Sequence, residues 1–216
     1  MKLNQLLKQI ADKTLKKGEL YKKVENDFSL VPILIDGISS PRPTVKYNCG
    51  KVLMDLSAKY PQNLYPYMDE FIKLLESKYR ILTWNAIFII ANLAKVDNKQ
   101  KIASILDRYF RLLENDYMIT VANVVINSGK IALAQPFLID RVTRELLSVE
   151  DIGITPHLTE ECKRVIIEKT IQTFSLFFDK LEEELKVEIY DFVKRQLSSP
   201  RETLRKEAEL FLDKWK

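Results

Sequence analysis

The sequence predicts an all-α protein of about five helix pairs behind an amino-terminal helical cap. Three observations carry this. The 216 residues hold only five Gly and eight Pro, and scarce breakers favour long helices over many short strands. Apolar residues fall at helical spacing through most of the chain, as at Leu64, Tyr67, Met68, Phe71, Leu74 and Leu75. One helical pattern returns along the chain at intervals of 37 to 43 residues, the mark of a repeat architecture.

Residues 1–25 form the first segment. Seven Lys fall within the first 23 residues against Asp12 and Glu19, whereas the whole chain is only +4. With Leu3, Leu6, Leu7 and Ile10 turned inward, this segment caps the first repeat and leaves its Lys in water; such a basic block also has the means to attract phosphates. The repeat units follow at 27–60, 64–95, 100–130, 132–181 and 181–216, in one domain spanning 1–216, with no Gly-, Ser- or Pro-rich linker to divide it.

The first helix of each pair is amphipathic. "DFSLVPILIDGI" (27–38), "LYPYMDEFIKLLES" (64–77), "QKIASILDRYFRLLEN" (100–115), "ALAQPFLIDRVTRELLS" (132–148) and "LEEELKVEIYDFVKRQLSS" (181–199) lead the five units. The second helices carry the repeat. "YNCGKVL" (47–53), "WNAIFII" (84–90) and "ANVVINS" (122–128) align, placing Asn48, Asn85 and Asn123 at one position and Cys49, Ala86 and Val124 after it. Small or slim residues there let neighbouring helices approach closely. "SSPRPTVKYNC" (39–49) returns as "SSPRETLRKEA" (198–208), which aligns Cys49 with Ala208. Ser199 reads as a helix cap with Pro200 at the first position and Glu202 closing a capping box, and Ser40 with Pro41 repeats the first two features. Thr159 with Glu160 and Glu161 starts the fourth second helix.

Several function classes find no support. One His, His157, in a loop cannot supply a zinc site, and Cys49 and Cys162 read as small, reduced core residues of a cytoplasmic protein. No phosphate-binding or dinucleotide fingerprint and no nucleophile elbow occurs, so neither a catalytic residue nor a cofactor or metal site is assigned. The acidic run "DKLEEELKVE" (179–188) reads as the wet side of a helix, with Glu182 paired to Lys186. No segment reaches the roughly 18 uncharged apolar residues of a membrane span, and the charged start lacks the apolar stretch of a signal peptide.

The helix pairs resemble HEAT and armadillo repeats over about residues 27–216, most closely in "RILTWNAIFIIANLA" (80–94). The fourth unit departs most, through its longer connection "SVEDIGITPHLT" (148–159). The resemblance implies a right-handed α-α superhelix whose second helices share a concave groove for a peptide or partner protein. In "AIFIIANLA" (86–94), Phe88 and Asn92 stand where armadillo repeats carry an aromatic residue and the Asn that grips a peptide main chain. An Asn amide both donates and accepts, which suits that task. Alignment adds Lys51 and Asp55 from the first unit, Trp84 from the second and Lys130 from the third, giving a candidate groove of mixed polarity.

Two readings stay open for the Asn48, Asn85 and Asn123 row: hydrogen bonding between units, or contact with a ligand. Trp84 and Tyr47, which align, either cover the edge of the core or serve as binding anchors. The functional expectation is a non-catalytic protein-interaction scaffold. The alternative is a nucleic-acid-binding protein similar to the HEAT-like alkylation-repair DNA glycosylases, with the basic segment, Lys51, Arg80, Trp84 and Lys130 as its footprint, although that family's catalytic pattern has no match here.

Overall fold

A computed structural model describes residues 5–215 of the chain. Helices and short 3-10 turns dominate, and the described residues contain no strand. The chain groups into two compact units, Met1–Lys99 and Gln100–Lys216.

The first unit contains α1 (Gln5–Ala11), α2 (Lys17–Asn26), α3 (Val31–Ile38), α4 (Pro43–Lys59), α5 (Pro61–Leu64), α6 (Met68–Lys73) and α7 (Arg80–Leu93). α1 stops where Lys13 turns left-handed at φ 59°. α2 restarts the chain with Glu19 accepting the Lys16 N–H at 3.0 Å. The helix pair replaces the single capping segment read from the sequence, but its polarity is as expected: Leu7, Ile10, Leu20 and Val24 are buried, while Lys8, Lys16, Lys17, Lys22 and Lys23 are exposed. Leu6 is half-buried, and Leu3 lies outside the described residues.

α4 packs against α3 on one side and α7 on the other. Small residues set both distances. A Cβ on Gly37 would stand 2.5 Å from the Cys49 sulfur and 3.0 Å from Leu7. A Cβ on Gly50 would stand 2.7 Å from Asn85 Nδ2. Cys49 and Ala86 are completely buried, as their place in the repeat predicts.

The second unit contains α8 (Lys101–Phe110), α9 (Met118–Ala134), α10 (Ile139–Leu147), α11 (Glu160–Phe174), α12 (Glu183–Arg195) and α13 (Glu202–Lys214). α11 packs against both α9 and α13. Gly129 on α9 lies against Thr173 and Leu176, and Ala208 on α13 is fully buried.

The second helices of the pairs begin at Pro43, Arg80, Met118, Glu160 and Glu202, at intervals of 37, 38, 42 and 42 residues. Four share one entry device. Ser40, Ser77, Asn115 and Ser199 each accept the backbone N–H two residues on, from Arg42, Tyr79, Tyr117 and Arg201, at 3.0 to 3.3 Å. That second residue is extended and precedes the helix. Such side-chain-closed turns compete with helix and so hold the chain out of it until the next residue. This corrects the capping expected of Ser199 and Ser40. Their hydroxyls close the turn before the helix, and Glu202 is its first residue rather than a box partner. Thr159 does cap α11, accepting the Cys162 N–H.

Two other boundaries differ from the sequence reading. Residues 132–134 end α9 instead of opening the fourth pair. The following proline forces the break: Gln135 precedes Pro136 and leaves the helical region at φ −131°, ψ 77°, as Tyr60 does before Pro61. Lys186 pairs with Glu183 at 2.8 Å, not with Glu182, because the helix starts at Glu183 and leaves Glu182 outside it.

Candidate binding surface on the second helices

In the first unit, Lys51 and Asp55 lie one turn apart on α4 and form an ion pair at 2.7 Å. On α7, Ile81 is 43% exposed, and Trp84, Phe88 and Asn92 continue its face as half-buried side chains. Spacings of three and four keep them on one side of the helix. Asn92 does more than face a groove: its amide donates to Ser57 Oγ at 2.9 Å, and Ser57 donates to the Met54 carbonyl at 2.7 Å. Asn92 therefore fastens α7 to α4. The Asn85 amide nitrogen is buried against Gly50 with no hydrogen-bond partner. Tyr47, Asn48 and Asn123 are half-buried.

In the second unit, α9 carries Ile119, Ile126 and Leu133, which are 49%, 38% and 42% exposed. A spacing of seven residues is close to two turns, so they form one stripe, and half-buried Lys130 lies between them. The opposite side of α9 is core, with Val121, Val124 and Val125 fully buried. α7 is likewise filled on its packing side by Ala86, Ile87 and Ile90. Both helices thus keep large apolar side chains on the face opposite their core side, although α9 also buries Thr120, Asn127 and Ser128. The first helices differ. α10 meets water through Asp140, Arg141 and Arg144, and α12 mainly through Glu183, Glu184 and Lys194, with Val187 as a lone exposed apolar residue on that helix. Exposed apolar side chains gathered on one helix face mark a surface that a partner can cover.

The charged side chains around these helices mostly hold structure together. Lys46 is buried with its ammonium 3.4 Å from the centre of the Tyr79 ring, which clamps the start of α7 to α4 and pushes the Tyr79 phenol down. Glu25 accepts from Lys59 at 2.8 Å and Tyr60 at 2.6 Å, and these bonds hold its carboxyl below its ordinary value. In the second unit, burial pushes the Glu168 carboxyl up. Hydrogen bonds from Thr203 at 2.6 Å and Arg201 at 2.9 Å more than reverse this, leaving it below its ordinary value. Arg201 also binds Glu161.

Burial pushes the Cys49 thiol up to about 12. Cys162 is only half-buried, at the start of α11, so the core placement expected of both cysteines holds for Cys49 alone. His157 is exposed in the turn before α11 and stacks on Tyr117 at 5.4 Å. Among the described residues, no three His, Cys, Asp or Glu side chains are placed to hold a metal ion. None of the described helices is long and apolar enough to cross a membrane.

No protein-family model and no curated protein sequence matches the chain significantly. Solved structures do. The designed armadillo repeat protein YIII(Dq)4CqI matches with a TM-score of 0.64 and 19% identity over 97% of this chain and 90% of its own. The designed armadillo repeat protein YIII(Dq.V1)4CPAF, solved in complex with the peptide (KR)4, matches with a TM-score of 0.66 and 16% identity over 97% and 91%. A computationally designed armadillo repeat protein for modular peptide recognition gives 0.65 and 19% over 97% and 90%. The chain has an armadillo/HEAT-like α-solenoid repeat fold.

Proposed function

We propose that the protein is a non-catalytic scaffold that binds a peptide or partner protein on the outward faces of its second helices. The observation that carries this is the apolar stripe Ile119, Ile126 and Leu133 on α9, whose opposite side is already core. The α7 face of Ile81, Trp84 and Phe88 has the same character. A partner with apolar side chains gains by covering such faces. The peptide complex of the similar designed protein supports a peptide as the kind of ligand. Lys51, Asp55, Trp84 and Phe88 are the contact residues on the first unit and Lys130 on the second, and Asn92 contributes mainly by fixing α7.

The test replaces Ile126 and Leu133 together with Asp. Both side chains are exposed, so the helical circular dichroism should persist while capture of the partner from the native cell falls. Persistent capture by this variant, together with its loss on Lys73→Ala, on α6, or Arg111→Ala, in the turn after α8, would move the function to the other side of the repeats.

A second reading rests on charge. Residues 1–99 hold 16 Lys and Arg against 10 Asp and Glu, whereas residues 100–216 hold 18 against 20. The exposed Lys of α1 and α2 give the first unit a basic face suited to a polyanion. Steep salt dependence of retention on random-sequence DNA would favour this reading, and no retention at low salt would dismiss it.

A further inference from the structure

Within the second unit, the exposed face of α9 has a length, a polarity and a charge that narrow its occupant. The face extends onto α11 and α13. Gly129 has no side chain, so the end of α11 lies close against α9: a Cβ on Gly129 would stand 2.9 Å from Leu176 and 3.0 Å from Thr173. Leu176, 51% exposed, therefore forms an apolar wall beside Ile126 and Leu133. Lys214 donates to the Ser175 carbonyl at 3.4 Å and so brings α13 to the same edge, where Leu210, one turn before Lys214, is also exposed. The apolar stripe itself runs along α9. From Ile119 to Leu133 it covers about 21 Å, at about 1.5 Å per residue.

Backbone chemistry separates two kinds of ligand for such a stripe. An extended peptide brings an N–H and a C=O at every residue, and each needs a partner where it is covered. The amide side chains that could serve are mostly engaged. Asn127 is buried and donates to the Asn123 carbonyl at 2.8 Å. Gln172 donates to Glu207 at 3.0 Å and accepts from Lys169 at 2.9 Å. α13 has no Asn or Gln, which leaves the Asn123 amide as the one to meet a strand of about six residues, the number that spans the stripe. A helix satisfies its own backbone and offers side chains alone. Its apolar residues at spacings of three and four recur every seven, the spacing of Ile119, Ile126 and Leu133.

Charge selects among helices. α9 carries a single charge, Lys130, which lies within the stripe. Lys169 on α11 and Lys214 on α13 stand along its edge. On that side Glu207 is the opposing carboxylate, and Gln172 holds it, so these four side chains sum to +2 (three Lys against one Glu). Glu161 and Glu168 of α11 are held by Arg201. From these observations we infer that the α9 face receives one amphipathic helix of about four turns, its apolar stripe edged with Glu or Asp. This rests on the outward faces of the second helices being the working surface. Ile119, Ile126 and Leu133 take the apolar side chains, Leu176 closes one edge, and Lys130 and Lys169 meet the carboxylates.

Three fluorescein-labelled peptides of about 18 residues, or five turns, test this by anisotropy at low salt. The first repeats Leu at spacings of three and four with Glu beside it. The second has Lys in place of each Glu. The third is the first with a central Pro, which breaks a helix and spares an extended chain. The Glu peptide should bind saturably, at least about tenfold tighter than either of the others. Leu133→Asp should weaken it at least about tenfold. Lys130→Glu should weaken the Glu peptide and strengthen the Lys peptide, with the helical circular dichroism of the protein unchanged. Equal binding of the Glu and Pro peptides would assign an extended ligand and overturn the inference. Equal binding of the Glu and Lys peptides, or no saturable binding of the Glu peptide, would also overturn it. Should Leu133→Asp fail to fold, Lys130→Glu and the three peptides on the unaltered chain still decide. Failure of the Glu peptide while replacement of Ile126 and Leu133 abolishes capture in the native cell removes the helix alone; capture that persists in that variant removes the working surface as well.

Discussion

Gly37→Ala isolates the contact on which the first unit's packing depends. The new Cβ would lie 2.5 Å from the Cys49 sulfur and 3.0 Å from Leu7. The sulfur sits on a completely buried helix position with little room to turn, whereas Leu7 meets the site with the end of a flexible side chain. Overpacking of a tight core costs roughly 1–3 kcal/mol, and alanine in place of a helical glycine returns about 0.5–1 kcal/mol, leaving a net loss of about 1 kcal/mol. Cys49→Ala removes the obstructing atom at a cost of about 1 kcal/mol for the lost buried sulfur.

In the Cys49→Ala background the balance should therefore reverse. The nearest Cys49 atom other than the sulfur is Cβ, at 3.4 Å, a tolerable distance, so Gly37→Ala should become neutral or stabilising. Urea unfolding of the four chains, followed by helical circular dichroism, gives the cycle. The coupling should exceed about 1 kcal/mol, well above the few tenths expected of independent sites. Equal costs of Gly37→Ala in both backgrounds would refute the close approach of α3 and α4.

Three further outcomes follow from the same structure. Deleting residues 2–24 removes the buried Leu7, Ile10, Leu20 and Val24 from the first unit; the truncated chain should unfold at lower urea and bind an apolar dye, and a truncation that stays monomeric and equally stable would mark the segment as a detachable arm. Arg201→Gln should cost about 1.5–3 kcal/mol at pH 7, the range of a charge-assisted hydrogen bond. Because the folded Glu168 carboxyl lies below its ordinary 4.5, its stabilisation is full above that value and is lost as pH falls through the folded one. The gap between Arg201→Gln and the unaltered chain should therefore narrow below about pH 4.5; a constant gap from pH 7 to 3 would exclude Glu168 as the partner. Thiol titration at pH 8 should find Cys162 reactive and Cys49 silent until urea is added, since burial holds Cys49 near 12.

The fold was largely legible because a repeat writes one pattern several times. The alignment of "YNCGKVL", "WNAIFII" and "ANVVINS" located α4, α7 and α9, and "SSPR" located the entries to α4 and α13. The same entry device at Ser77 and Asn115 stayed hidden because neither is followed by proline and one is an amide rather than a hydroxyl. The small residue at Cys49 was visible, but its opposing Gly37 belongs to another helix, so only packing reveals the pair. Asn92 resembles a groove residue by its place in the helix, whereas its bond to Ser57, 35 residues away, leaves no mark in local spacing. Ile119, Ile126 and Leu133 did carry a signal: a spacing of seven sets them on one helix face, opposite the core residues Val121, Val124 and Val125.

Photo-crosslinking in the native cell tests the central claim most directly. A benzoylphenylalanine placed at Ile126, on the exposed stripe of α9, is compared with one at Asp140, on the charged outer side of α10. Position 126 should give a discrete protein or peptide adduct and position 140 none. Adducts from position 140 with none from position 126 would contradict it, and would assign the working surface to the first helices.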